Sequence, residues 1–174
     1  MLRKIFKWIL IGIATMVIVI AIVAFSLIYG TTRKLNKTWN VEPAAIVLPT
    51  DSASLARGMQ RAKILCLECH GEGFAGREFL KDPAIGHIDA HNLTSGKGGA
   101  GAKYTDADWV RAIRHGITKE GRPLFIMPSS DFHNMSEQDL AEVIAYIKTI
   151  PPVDKEWRET PEISPMAKAL AAMG

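Results

Sequence analysis

Apolar and polar positions follow different periods along this chain, and each period predicts an element. The first run, Trp8 to Tyr29, is 22 residues without a charged side chain, dominated by Ile, Val, Ala and Leu. At about 1.5 Å per residue it reaches about 33 Å, enough for a hydrocarbon core of about 30 Å. Trp8 and Tyr29 stand at its two ends, where amphipathic rings favour the membrane interface. A cleaved signal peptide has a shorter apolar region and an Ala-x-Ala-like site. Here Ala24-Phe25-Ser26 is a poor site followed by more apolar residues. Residues 1–30 therefore read as an uncleaved, single-pass transmembrane anchor. Residues 31–50 show no sustained period, carry Pro43 and Pro49, and read as a flexible linker.

From residue 51 the pattern turns helical. Leu55, Met59, Ala62 and Leu65 form an apolar stripe at i, i+4, i+7 and i+10, with Thr50, Asp51 or Ser52 placed to cap it. Gly58 interrupts this helix, and reads either as a tolerated glycine or as the mark of a close helix–helix crossing. Residues 71–104 hold eight of the fourteen glycines and read as loops. Thr105 with Asp108 fits a capping pair. Trp109, Val110 and Ile113 share a face, and Gly116 fits a stop, so a helix is predicted over 105–115. Ser136 with Asp139 opens the last main helix. Leu140, Val143, Ile144 and Ile147 line one side of it, and Pro151-Pro152 ends it. In the tail, 153–174, Ser164-Pro165 suits a helix start. Met166, Leu170 and Met173 share a face there, as in a short helix that patches the domain surface. The expectation is an all-α domain over residues 51–152, with three principal helices and long loops.

The net charge of +3 hides a segregation. Residues 1–40 carry Arg3, Lys4, Lys7, Arg33, Lys34 and Lys37 and no acid, while the remainder holds 15 basic and 18 acidic residues. The basic residues cluster beside the apolar run and not on a recognition element, so no nucleic-acid partner is expected. The bilayer is the partner they suit.

The candidate chemistry lies where the first domain helix ends, at Cys66-Leu67-Glu68-Cys69-His70. Cysteines at i and i+3 lie on one side of a helical turn, so both thiols can add to the vinyl groups of one haem. The histidine that follows then lies under the ring and can give its imidazole to the iron. A redox Cys-x-x-Cys needs a βαβ context, which is not evident here. A zinc site needs a second ligand pair, and none stands at short spacing. A buried disulfide would leave His70 unexplained. The expected cofactor is one covalently bound haem c. Phe79 and Ile88, with Phe74, Leu80, Ile85 and Leu93, are candidates to pack its faces. Asn92 and Thr94 either solvate its propionates or merely form turns.

The second axial position decides what the iron does. Met127 lies in a loop, with Pro128 restricting its backbone, and is the expected thioether ligand. Met59 shares the helix of the motif, and Met135 suits a hydrophobic staple at the last helix. His87, His91, His115 and His133 read as surface or loop residues. Met127 ligation favours electron transfer, with no small-molecule substrate. Without it, a haem-based sensor or peroxidase with a labile distal ligand is the alternative. Arg111, Arg114, Lys119 and Arg122 read either as a basic docking patch or as a solvated face.

These residues carry a resemblance. Residues 52–152 resemble a class I c-type cytochrome domain: the Cys66–His70 motif, Met127-Pro128, and the last helix with Tyr146 and Pro151-Pro152 match that family. In that fold the last helix crosses the first near the position of Gly58. Asn92-Leu93-Thr94, the glycine-rich run, Tyr104 to Gly116 and Gly121-Arg122-Pro123-Leu124-Phe125 are similar to the cytochrome subunits of membrane-bound alcohol and gluconate dehydrogenases. The resemblance implies an electron carrier between redox partner proteins: a dehydrogenase or respiratory complex as donor, a cytochrome or oxidase as acceptor. Covalent haem attachment of this kind resembles a process outside the bacterial cytoplasmic membrane. It implies a cytoplasmic N-terminus and a periplasmic haem domain.

Overall fold

The computed structural model describes residues 2–173. Its first element, α1 (Leu2–Leu35), contains the apolar run, with a mean hydropathy of 2.9 and no burial in its most apolar stretch. By length and composition it can cross a membrane. Arg33 and Lys34 occupy its last turn, where the exposed carbonyls favour cations. The helix continues five residues beyond Gly30, into the stretch expected as a flexible linker. The rest of that stretch lies against the domain. The Trp39 amide donates to the Gly121 carbonyl (2.8 Å), and Arg111 Nε donates to the Val41 carbonyl (2.8 Å). Ile46 and Leu48 pack on the core.

Six helices follow in order: α2 (Ser52–Leu65), α3 (Leu67–His70), α4 (Asp106–His115), α5 (Ser129–Phe132), α6 (Glu137–Thr149) and α7 (Pro165–Ala171). Their starts obey local chemistry. Asp51 accepts from the Ser54 amide and caps α2. Thr105 and Asp108 form a reciprocal capping box on α4, and Gly116 ends it in the left-handed region at φ 65°. Ser136 accepts from the Asp139 amide at the start of α6. The α2 and α6 backbones cross at Gly58, where a Cβ would lie 2.0 Å from the Glu142 carbonyl oxygen. The glycine is therefore the mark of a close crossing. Trp109, Val110 and Ile113 from α4 meet Leu140, Val143 and Ile144 from α6 in the core.

The domain is largely helical but not all-α. Strands β1 (Arg77–Asp82), β2 (Gly86–Ala90) and β3 (Glu162–Ile163) form an antiparallel sheet in the order β1-β2-β3. Asp82 closes the hairpin by accepting from the amides of Ala84 and Ile85 (2.8 and 3.0 Å). An irregularity between Glu78 and Leu80 shifts the phase of β1, so the period of two that would reveal a strand is lost. The third strand comes from the tail and has only two residues. The tail helix α7 differs from expectation as well. It packs on α1, and the face bearing Met166, Leu170 and Met173 is exposed.

Candidate haem-binding site

Helix α2 ends at Cys66, whose φ of −118° is stretched from the usual helical value while its ψ of −33° stays helical and its amide still donates to the Ala62 carbonyl. Its carbonyl accepts from the His70 amide (2.9 Å), so Leu67–His70 form one further turn, α3. The offset aims Cys66, Cys69 and His70 into one cavity of about 260 Å³. Other walls come from Ile88 on β2, Phe79 on β1, Trp109 and Ile113 on α4, and the loop ending in Met127. Met127 is half-buried against the core, and the Ser129 amide donates to its carbonyl (2.8 Å). Residues 9 to 61 positions away in sequence thus share a mostly apolar chamber with the Cys66–His70 turn.

His70 Nδ1 lies 2.7 Å from the His91 carbonyl oxygen. A carbonyl can only accept, so Nδ1 carries the proton and Nε2 is left with its lone pair. Burial pushes the His70 pKa down and keeps the imidazole neutral, against the His91 hydrogen bond, which raises it. Burial, with Cys69 as a lesser cause, pushes the Cys66 thiol up to about 11. Both cysteines are free. Trp109 Nε1 is buried in the cavity wall region without a hydrogen-bond partner, an N–H that suits an incoming carboxylate. Two thiols, an imidazole with Nε2 free, a thioether and an unpaired indole N–H round an apolar chamber fit a haem with its propionates.

Asn92 and Thr94 lie away from the cavity. Both are fully buried but neither lies on the cavity wall. Asn92 Nδ2 donates to the carbonyls of Val153 (2.7 Å) and Lys155 (3.2 Å), and Thr94 Oγ1 accepts from the Val153 amide (3.0 Å). Asn92 Oδ1 accepts from the Thr94 amide (2.9 Å) and Thr94 Oγ1 from the Gly96 amide (3.3 Å), so their polar atoms are shared between local turns and the tail. The four cations that read either as a docking patch or as a solvated face are also engaged: Arg111 with Asp108, Arg114 with the Met135 carbonyl, Lys119 with the Lys103 carbonyl and Arg122 with Glu159. Sequence reading missed the His91 carbonyl, the Trp109 indole N–H and the tail residue Arg158 on the wall. Each acts from a distance in sequence at which no local spacing signals it.

With this geometry in hand, the family described as cytochrome c oxidase, cbb3-type, subunit III matches residues 53–147. The chain belongs to that family of c-type cytochrome domains. Haem c is the cofactor that such a domain implies. The chain is 34% identical over 151 residues to an alcohol dehydrogenase (quinone) cytochrome c subunit of Gluconacetobacter polyoxogenes, covering 81% of this chain and 29% of that protein. A fructose dehydrogenase cytochrome subunit of Gluconobacter japonicus is 31% identical over 136 residues, 74% of this chain and 27% of the relative. A gluconate 2-dehydrogenase cytochrome c subunit of Pantoea cypripedii is 34% identical over 86 residues, 47% and 19% of the two chains. This c-type cytochrome chain thus spans less than a third of the length of these relatives.

Proposed function

We propose that the protein is a membrane-tethered monohaem cytochrome c that carries single electrons between a dehydrogenase or respiratory complex and an acceptor cytochrome or oxidase. The observation that carries this reading is the convergence of Cys66, Cys69, His70 and Met127 on one cavity. Bound there, haem c supplies reversible one-electron chemistry. Cys66 and Cys69 would hold the porphyrin as thioethers. His70, oriented by the His91 carbonyl, would offer Nε2 to the iron, and Met127 its sulfur. Phe79 and Ile88 would exclude water from the ring, and the unpaired Trp109 Nε1 would be free to donate to a propionate. Phe125 and Ile126 leave an exposed apolar rim beside Met127, over which a partner can approach closely.

Met127→Leu tests the assignment. In the oxidised protein the substitution removes the Met–Fe(III) charge-transfer band, and in the reduced protein it opens the iron to CO. A wild type that already binds CO readily would favour the sensor or peroxidase reading. The proposed topology has a cytoplasmic N-terminus and a periplasmic domain in the bacterial inner membrane. Protease added to intact spheroplasts then removes the haem domain, whereas a protected domain reverses the orientation.

A further inference from the structure

We infer that α7 is a membrane-interface helix: Met166, Leu170 and Met173 enter the lipid surface beside α1 and hold the haem domain down on the membrane. The inference rests on α1 being the membrane span, and adds to it a second attachment.

Location is the first argument. Helix α7 packs on α1, and Thr31 Oγ1 donates to the Lys168 carbonyl (2.9 Å). From Ala24 to Thr32 the residues that lose exposure are Ala24, Leu27, Ile28, Gly30, Thr31 and Thr32, all but Gly30 on one face of α1. They bracket Tyr29, where the uncharged run ends. Helix α7 therefore lies at the height where the span leaves the hydrocarbon.

Orientation is the second. Met166 and Leu170, at i and i+4 on α7, and Met173 in the turn that follows it are 53, 56 and 66% exposed. The side turned inward is built from Ala167, Lys168 and Ala169, all half-buried. A helix on a water-soluble surface turns its large apolar residues inward, and this one turns them out. A surface of lipid at that height resolves the inversion, because the apolar face of an interfacial helix is buried at the headgroup boundary. Charge is the third argument. Arg33, Lys34 and Lys37 are exposed just past Tyr29, where long basic side chains at a span's end reach the interface.

The consequence is positional. Thr32 and Leu35 of α1 and Lys168 of α7 line the same cavity as His70 and Met127. Two attachments then fix that cavity next to the membrane surface, within reach of a donor embedded in the bilayer.

The test uses the full-length holoprotein in liposomes containing a phosphatidylcholine with a photoactivatable diazirine in its acyl chain. Labelled peptides are mapped by mass spectrometry. The expected result is label on α1 peptides and on the peptide carrying Leu170 and Met173, with none on the α6 peptide. The triple variant Met166→Ser/Leu170→Ser/Met173→Ser, with its haem spectrum intact, should lose the tail label and keep that on α1. Label on α1 with none on the wild-type tail overturns the inference, whether water, a second copy or a partner protein covers that face. Absence of label on α1 itself would instead refute the membrane span.

Discussion

Glu142 sits in the interior of the α2–α6 crossing, 1% exposed, and its carboxylate is held by Arg57 Nε at 2.8 Å, Arg61 Nη1 at 2.7 Å and Gln138 Nε2 at 3.1 Å. The Arg57 hydrogen bonds hold its pKa below the ordinary carboxylate value, against desolvation, which raises it. A buried carboxylate is tolerated because both partners arrive with it, and both guanidiniums keep part of their surface in water. A depressed folded pKa fixes the sign of the pH effect. The stabilisation is fully present above the unfolded carboxylate pKa of about 4.3, and is lost as pH falls through the lower folded value. Glu142→Gln should therefore lower the melting temperature at neutral pH. It should also flatten the fall in melting temperature below about pH 5. Thermal melts followed by the haem band measure both. Parallel pH profiles for the two proteins would assign the acid sensitivity to other carboxylates.

At the scale of elements, legibility followed the range of the interactions. The helices α2, α4 and α6 could be read because each signal lies within a few residues: Asp51 with Ser54, Thr105 with Asp108, Ser136 with Asp139. Gly58 was legible only as two alternatives. Choosing between them needs Glu142, 84 residues on, whose carbonyl occupies the space a side chain would take. The sheet was not legible. Its hairpin loses alternation at the irregularity in β1, and its third strand is held by pairing of Gly86 and His87 with Ile163 and Glu162. The cavity shows the same division. The Cys66–His70 turn is local and announces itself, and Met127 is singled out by Pro128. The partner that orients His70 is a backbone carbonyl, which has no residue signature. For α7 the periodicity identified an apolar face correctly, but whether that face turns inward or outward depends on what α1 already covers.

The whole molecule joins its two ends to the middle, and the tail makes the join. Pro151-Pro152 ends α6, yet the chain beyond it remains part of the domain. Residues 153–157 run over the glycine-rich loop: Lys97 N–H donates to Asp154 Oδ1 (2.8 Å), Lys155 N–H to the Lys97 carbonyl (3.0 Å) and Trp157 Nε1 to the Ala75 carbonyl (2.8 Å). The approach is close enough that a Cβ on Gly96 would lie 2.2 Å from the Val153 carbonyl oxygen, so this loop needs a glycine for contact. Asn92 is the centre of the join, buried and donating to two tail carbonyls. Its replacement by Ala removes the acceptor of the buried Thr94 N–H (2.9 Å) and leaves the Val153 carbonyl only its longer bond from Thr94 Oγ1 (3.3 Å), at a cost of about 1–3 kcal/mol for the unsatisfied buried N–H. In a domain of this size that corresponds to a fall of roughly 4–8 °C in melting temperature per kcal/mol. Truncation after Pro152 should cost at least as much and should also free the amides of 92–101 and 86–90 to exchange with deuterium. Asn92→Ala should raise exchange mainly in 92–101, because β3 still pairs with β2. If both proteins melt with the wild type and retain its exchange pattern, the tail is an appendage. If they fall in the predicted order, the segment that closes the loop, completes the sheet and packs on α1 is one structural unit with the haem cavity.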